Sequence, residues 1–429
     1  MAGSLRFKVL RMPAELVSPA VPTPRELKLL SDIDDQGGLR FHIPAIHLFR
    51  RRGDDDKDPV GVLRDAVARA LVHYYLLAGR LRELEGRKLA VDCTGEGVLF
   101  SPRPTPTSAS TSSGMTCSPR SRASRSSCSP SPTVTRLACG GFIMTGLVQF
   151  LAAVAELARG ASAPTLRAPG VRRGAGHRRH APDAAPGRHD PPSAHRKSPR
   201  PAPTSRRPSA TAPPPSSSSR AASGGAATVA LSPGDHEVMR MLCIVSVRGR
   251  KNHHNGADAI PSGYYGNAFA FPVAVATAGE LRGNPVGYAV ELVRNAKREV
   301  AGIEYLRSLA GLMVRRGRPH FAVARAYLVS DVSRSGIREL DFGWGKPVYA
   351  GPAKGGVGAI PGVASFLIAC RNNARGEEGI VVPVCLPGPA MDKFVQEMAK
   401  LMRPAAVVVV TRQQQQQPAG VVPAIKSAM

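Results

Sequence analysis

Short stretches in which apolar and polar residues alternate recur along the chain, and this period of two is typical of β-strands with one buried face. Two examples in the first half are "LRFKVLRM" and "GRKLAVDCTGEGVLF", where a turn at Thr94–Gly97 predicts a hairpin. In the second half, "PGVASFLIACRNN" and "GIVVPVCLPG" predict two apolar strands joined by a polar turn.

Other stretches place apolar residues three and four positions apart, which puts them on one face of an α-helix. Residues 61–81, "PVGYAVELVRNAKREV" and "AMDKFVQEMAKLM" have this spacing. Strands and helices thus alternate through both halves, and the 429 residues are enough for two domains of ordinary size. The pattern therefore predicts a two-domain α/β fold.

One junction between a predicted strand and a predicted helix is unusually short. "RLACGGFIM" ends a predicted strand at 134–144, and "GLVQFLAAVAELARG" predicts a helix at 146–159. Only Thr145 separates them, so we expect a tight turn at Thr145–Gly146, where glycine tolerates unusual backbone angles. Catalytic residues of α/β proteins often lie at such junctions, yet this one contains no acid or base.

Residues 101–133 and 161–225 differ in composition from the rest of the chain. They contain no Phe, Tyr or Trp, are rich in Ser, Pro, Ala, Arg and Gly, and carry about half of the net charge of +27. Such segments cannot bury enough apolar area to offset their chain entropy, so we expect them to be irregular and weakly packed. A solvated tract and a nucleic-acid-binding tract are two interpretations. Translation in a wrong frame inside an enzyme gene fits the composition better.

The cysteine spacing and the hydropathy limit the cellular compartments in which we expect this protein. The seven cysteines are scattered and form no CxxC pair, so no metal site or disulfide framework follows from them. No apolar run approaches the ~18 residues that span a membrane, and the first residues lack the apolar core of a signal peptide. We therefore expect a cytoplasmic protein without a membrane partner.

The stretch "LDFGWGKP" contains Asp341, Phe342, Gly343, Trp344 and Gly345. Two glycines around the only tryptophan of the chain predict a tight turn with a large ring packed against it. By residue type alone, a core aromatic residue in a bend is the favoured interpretation of this stretch.

The same stretch resembles the DFGWG signature of the plant BAHD acyl-CoA-dependent acyltransferases. "RALVHYYLLAGRLRE", "VDCTGEGVLF", "GYYGNAFAFPV" and "AYLVSDVSRSGIRELDFGWGKPVY" also resemble that family, in the same order. The motifs are most similar to those of the benzyl alcohol O-benzoyltransferase and taxane acyltransferase group. The resemblance covers about residues 4–100, 134–160 and 226–412.

The resemblance implies an α/β fold of two domains similar to chloramphenicol acetyltransferase, with a tunnel between them, and the composition adds the expectation of a partly disordered central region. The tunnel would admit acyl-CoA as co-substrate and a small alcohol as acceptor, with no metal or other cofactor, and the protein would act as a monomer. We expect the following segments: 1–100 and 134–160, an incomplete first domain; 101–133 and 161–225, aberrant low-complexity basic segments; 226–412, a second domain; 413–429, a loose tail.

The family's catalytic motif is HxxxD, in which a neutral histidine removes the proton from the attacking alcohol. The aspartate fixes the loop that aims this histidine. Here Met144 is joined through Thr145 to Gly146, and the motif is absent from this place. His254 and Asp258 have the required spacing, but they lie in a glycine- and asparagine-rich stretch that predicts an exposed loop. No catalytic residue can therefore be assigned from the sequence.

Weaker candidates come from the second half. Gly266 and Asn267 match a family element near the tunnel. Arg248 and Arg250 follow a predicted strand and could meet CoA phosphates, although a plain surface position is an equal alternative. The resemblance also implies a structural role for Asp341 and for Arg334, which we expect to hold the domains and the loop by ion pairing.

The sequence thus predicts an acyl-CoA-dependent O-acyltransferase homologue that transfers, for example, a benzoyl or acetyl group to an alcohol in plant secondary metabolism. The absent HxxxD loop predicts that activity is impaired. Two alternatives remain at this point: a non-catalytic protein of the same fold that binds CoA or a partner, and a nucleic-acid binder acting through its basic segments. We do not expect nucleic acid to be the partner.

Overall fold

The computed structural model describes residues 13–40, 43–49, 58–101, 144–166, 215–249, 260–300, 302–317, 324–353, 364–371, 378–401 and 408–412. The helices in this part are α1 (Pro59–His73), α2 (Met144–Ala158), α3 (Pro215–Leu231), α4 (Ala278–Gly283), α5 (Val286–Arg298), α6 (Ile303–Arg315) and α7 (Gly388–Leu401).

The strands are β1 (Glu15–Val17), β2 (Leu27–Leu29), β3 (Ala45–Leu48), β4 (Arg80–Glu83), β5 (Leu89–Asp92), β6 (Val98–Phe100), β7 (Val238–Cys243), β8 (Val245–Ser246), β9 (Phe269–Ala270), β10 (Val273–Thr277), β11 (Ala326–Asp331), β12 (Tyr349–Pro352), β13 (Ala364–Arg371), β14 (Glu378–Val384) and β15 (Val408–Arg412).

The second half is organised around a six-stranded sheet in the order β10-β7-β11-β13-β14-β15. Strands β7, β11 and β13 are parallel neighbours, whereas β13 and β14 form the expected antiparallel pair. Helix α3 packs against α5 and α7. Apolar residues of α7, such as Phe394 and Met391, form a core with Leu367 of the sheet. The helices predicted from "PVGYAVELVRNAKREV" and "AMDKFVQEMAKLM" are α5 and α7.

The first half consists of smaller sheets and two packed helices. Helix α1 packs against α2, and β3 pairs with β12 of the second half. The largest apolar cluster contains Leu71 and Tyr74 from the first half, Phe150 from α2, and Ile337 and Ile368 from the second half. The two halves of the sequence therefore share one core.

The hairpin predicted from "GRKLAVDCTGEGVLF" is wrong, although both of its strands exist. Strand β5 is the centre of a three-stranded sheet and pairs with β2 and β4, while β6 pairs with β1. Both edges of β5 are occupied, so β6 cannot add to it. Strand partners depend on packing contacts that short-range alternation does not encode.

The tight turn predicted at Thr145–Gly146 is also wrong. Helix α2 begins at Met144 and continues through both residues to Ala158. Nothing in this short link excludes helical backbone angles, and Gly146 is buried in the helix instead of bending the chain. The predicted strand at 134–143 lies outside the described residues.

The segment 161–225 is not irregular throughout. Its last part forms the first two-thirds of α3, in which Arg220, Ala221 and Ser223 are buried. Small side chains allow this helix to lie close to its neighbours, and a Cβ on Gly224 would lie only 1.8 Å from Cε of Met241. Close packing thus compensates for the lack of large apolar residues. Most of 101–133 and 161–225 lies outside the described residues.

Candidate active site

The first turn of α2 occupies the place where the sequence predicted a strand-to-helix junction. Met144, Thr145 and Gly146 are helical there, and none of them carries a group that can take a proton from an alcohol. One turn further on, the side-chain amide of Gln149 donates to the backbone oxygen of Gly263 at 2.7 Å. The sequence did not single out Gln149, because it lies within an apolar helical pattern.

Strand β3 carries His47 into the interior. The His47 side chain borders a cavity of about 30 Å³, whose other walls are apolar side chains of β3, α1 and α2 together with Phe100 and Phe342. This is room for about one water molecule. Nε2 of His47 is buried and has no hydrogen-bond partner among the described residues.

Burial lowers the pKa of His47 to about 4, and a hydrogen bond with the backbone of Ile337 only partly opposes this. The ring is therefore neutral at pH 7, and a neutral imidazole is a proton acceptor. The alternation in "AIHLF" places His47 on the same buried face as Phe49, which is the signal that could have identified it.

Gly266 and Asn267, which the resemblance placed near the tunnel, lie around Asp34 together with Arg248. The backbone N–H of Asn267 donates to Oδ1 of Asp34 at 2.8 Å, and the Tyr264 hydroxyl donates to Oδ2 at 3.3 Å. The guanidinium of Arg248 donates to the backbone oxygen of Tyr264 at 2.6 Å and to that of Gly266. These bonds connect the loop before β3 with the loop before β9.

Burial dominates the electrostatics of this cluster. It raises the pKa of Asp34 despite the hydrogen bonds from Ser31, Asn267 and Tyr264, and it lowers the pKa of Arg248. The Arg248 guanidinium lies 5.4 Å from the centre of the Tyr264 ring, a cation–π distance. Arg248 thus holds the loop by backbone contacts, and its contact with a CoA phosphate stays a prediction.

The close approach of two side chains explains why position 266 is a glycine. A Cβ at this position would lie 2.4 Å from the hydroxyl oxygen of Tyr264 and 2.9 Å from Oδ2 of Asp34. Only glycine leaves room for both groups. The sequence pointed to Gly266 and Asn267, whereas Asp34, the residue that they surround, was not recognised.

Asp341 closes the tight turn expected around the tryptophan. Its Oδ1 accepts from the backbone N–H groups of Gly343 and Gly345, each at 2.8 Å, and φ is 110° and 87° at these glycines. The backbone oxygen of Asp341 accepts from the Arg159 guanidinium at the end of α2. Neither Asp341 nor Arg334 forms an ion pair among the described residues, so the expected structural role of this pairing stays a prediction. Arg334 is exposed, and the Asp341 carboxylate is engaged by the turn itself.

Aromatic rings anchor this turn to the first half. The Trp344 ring meets that of Phe49 edge-on, with centroids 5.8 Å apart. Phe342 contacts Phe49 at 5.9 Å and His47 at 6.0 Å, both edge-on. Such pairs add to the free energy gained from apolar burial. The turn therefore packs directly against the buried face of β3.

The remaining candidates are not placed by the structure. Arg250, His254 and Asp258 lie outside the described residues. Within the described ranges, no group of three or more His, Cys, Asp or Glu side chains is arranged to hold a metal ion. No helix in those ranges is long and apolar enough to cross a membrane.

Comparison with known sequences matches both halves of the chain. The model of the Transferase family matches residues 7–102 and 225–401, leaving 103–224 unmatched. The chain is 45% identical over 448 residues to benzyl alcohol O-benzoyltransferase of Petunia hybrida, which covers 94% of this chain and 95% of that protein. It is 38% identical over 443 residues to alcohol acyl transferase 1 allele GSa of Malus domestica, covering 92% of this chain and 94% of that protein.

Solved structures share the fold. Vinorine synthase superposes with a TM-score of 0.58 at 19% identity, covering 92% of this chain and 98% of that one. The TRI101 protein of F. sporotrichioides, solved with coenzyme A and T-2, superposes with a TM-score of 0.53 at 14% identity, covering 85% and 96%. The chain thus has the two-domain α/β fold similar to chloramphenicol acetyltransferase.

Proposed function

The chain belongs to the Transferase family, as a member of the BAHD acyltransferases, and from this premise we propose that it is an O-acyltransferase homologue with an impaired catalytic step. The reaction is transfer of an acyl group, such as benzoyl or acetyl, from a CoA thioester to a small alcohol. The names of the plant relatives from Petunia and Malus support this substrate class.

One observation carries the impairment: α2 runs without a break through Met144, Thr145 and Gly146, where the family's HxxxD loop would stand. An alcohol attacks a thioester slowly unless its proton is removed as the bond forms. A positioned general base typically contributes about 10²–10⁴-fold in rate. Loss of its whole loop also removes orientation, which contributes up to ~7–11 kcal/mol in well-aligned cases.

We infer that recognition of acyl-CoA is better preserved than catalysis. The chain keeps the contact of Asn267 with Asp34 of the first half, the Arg248 contact with the backbone of Tyr264, and the closed turn at Asp341. The solved TRI101 structure contains coenzyme A, which supports acyl-CoA as the co-substrate entering a tunnel between the domains. We propose no metal or further cofactor, and a monomer in the cytoplasm without a membrane or nucleic-acid partner. The DFGWG stretch would serve as the family's structural motif.

The test is repair of the junction. A His-x-x-x-Asp-Gly loop is inserted between Met144 and Gly146, and the two aberrant segments are restored in frame. Release of free CoA is then measured with benzoyl-CoA or acetyl-CoA and with benzyl alcohol or short aliphatic alcohols. We expect turnover only in the repaired protein.

The matched control is the same insertion with alanine in place of its histidine, which should stay close to the unrepaired rate. Binding of CoA, measured by calorimetry, should be similar in all three proteins. Robust turnover by the unrepaired chain would contradict the proposal. In that case His254→Ala and His47→Ala would show which histidine acts as the base.

A further inference from the structure

Helix α3 buries a charged side chain with incomplete hydrogen bonding. Arg220 is only 5% exposed. Its Nη2 lies 3.3 Å from Oδ2 of Asp331, whereas its Nε and Nη1 are buried and have no hydrogen-bond partner in the part of the chain that the structure describes. A guanidinium stays charged at any pH that a protein tolerates, and each buried unpaired N–H group costs free energy.

The carboxylate of Asp331, which pairs with Arg220, is shared with other groups. Oδ1 of Asp331 is engaged by Ser333, accepting from its backbone N–H at 3.0 Å and from its hydroxyl at 2.6 Å. Lys297 of α5 is a second cation: burial lowers its pKa, and repulsion by Arg220 lowers it further. Burial raises the pKa of Cys243, so its thiol is neutral at pH 7. Among the described residues, Arg220 is therefore paired with one carboxylate and lies close to a second cation, which has further contacts of its own.

The position in the sheet is one where α/β proteins bind ligands. Cys243 and Asp331 are the last residues of β7 and β11, which are parallel neighbours. Ligands of open α/β sheets usually lie beyond the carboxyl ends of parallel strands. Lys297 of α5 is half-buried, so part of its side chain is accessible to solvent.

We propose that Arg220, with Lys297 beside it, binds a small carboxylate or inorganic oxyanion at the carboxyl ends of β7 and β11. The anion accepts charge-assisted hydrogen bonds from the two buried N–H groups of Arg220 that have no partner among the described residues. This site requires no acyl transfer, so it stands or falls independently of the proposed function.

The test uses thermal unfolding of the full-length chain in sodium acetate and, separately, sodium phosphate. The pH and ionic strength are held constant with a bulky sulfonate buffer that cannot enter a buried site. We expect a saturable rise of Tm with at least one of the two anions. Whether acetate or phosphate acts at lower concentration distinguishes a carboxylate ligand from an inorganic one.

Arg220→Met keeps much of the buried stem but removes the charge, and it should abolish the rise. Arg325→Met is the matched control, since Arg325 is a more exposed arginine paired with Glu237, and it should leave the response intact. If the Arg220 variant does not fold, Lys297→Gln should still weaken the apparent affinity by about tenfold. No saturable rise in the unmutated chain, or an equal rise in Arg220→Met or in Lys297→Gln, would overturn the proposal.

Discussion

His47 illustrates how burial changes the chemistry of a single residue. A histidine in water titrates near pH 6.5, but among the rings of Phe49 and Phe342 its pKa falls to about 4. Its side chain borders a cavity with mainly apolar walls, and its Nε2 has no hydrogen-bond partner among the described residues. The residue is thus a buried neutral base that no other described side chain satisfies at Nε2.

The lowered pKa of His47 should make the stability of the protein depend on pH. Between pH 6.5 and about 4 the unfolded chain binds a proton at this site and the folded chain does not. The free energy of unfolding should therefore fall as the pH drops through this range, by about 3 kcal/mol from this residue. His47→Leu should flatten the decline, as measured by urea unfolding at pH 7 and pH 4.5. The exposed His236, changed to Gln, serves as the control and should leave the decline unchanged.

Gly266 provides a second residue-level prediction. Gly266→Ala places a methyl group against the Tyr264 hydroxyl and the Asp34 carboxylate, so it should lower the free energy of unfolding by about 1–3 kcal/mol. Gly287→Ala in α5 is the control, because its Cβ would meet no atom within 4 Å. Equal unfolding midpoints in guanidinium for the two variants would contradict the assigned close approach.

At the scale of elements, α3 is a helix built mainly of small residues. It leaves a cavity of about 40 Å³ towards β7, β10 and α5, lined by side chains such as Ala221, Thr228 and Met241. Glycine lowers the stability of a helix interior, because it loses more backbone entropy on folding than other residues. We therefore expect that adding single methyl groups to this helix can raise the stability of the protein.

Gly225→Ala should stabilise the protein by about 0.5–1 kcal/mol, because the new methyl group meets no atom within 4 Å and the backbone loses less entropy. Gly224→Ala is its neighbour in the same helix, but its methyl group would displace the end of Met241, so the gain should be smaller or absent. The Tm values of the two variants, measured by thermal unfolding, test whether the gain at position 225 exceeds that at position 224. A larger gain at position 224 would show that α3 packs differently.

At the scale of the whole molecule, the two halves are coupled by one apolar core and by polar contacts. Residues of both halves meet in the core around Tyr74, Phe150 and Ile368. Strand β3 pairs with β12, and Asp34 accepts from the backbone of Asn267 across 233 positions of sequence. Separate unfolding of either half would expose this shared surface.

We therefore expect one cooperative unfolding transition. Trp344, the only tryptophan, packs against Phe49 of the first half, so its fluorescence reports the contact between the halves. Its transition in guanidinium should coincide with the loss of helix seen by far-UV circular dichroism. Asp34→Ala should shift both to lower denaturant together. A fluorescence change that precedes the loss of helix would show that the halves separate first.

The sequence by itself determined the α/β class, α5 and α7, the paired strands β13 and β14, the turn closed by Asp341 and the family. These features depend on local periodicity, on turn chemistry within a few residues and on collinear motifs, all of which are written into neighbouring positions. It also located Gly266 and Asn267, because the motif that contains them is short and continuous.

Only the tertiary structure decided which strands are partners, as the separation of β5 and β6 into two sheets shows. It also decided that α2 runs through Thr145 and Gly146, and that the small residues of α3 form a packed helix. The surroundings of His47, Asp34 and Arg220 were likewise visible only in the tertiary structure. Each depends on groups brought together from distant parts of the chain, because burial and hydrogen bonding are set by the completed packing and not by neighbouring residues.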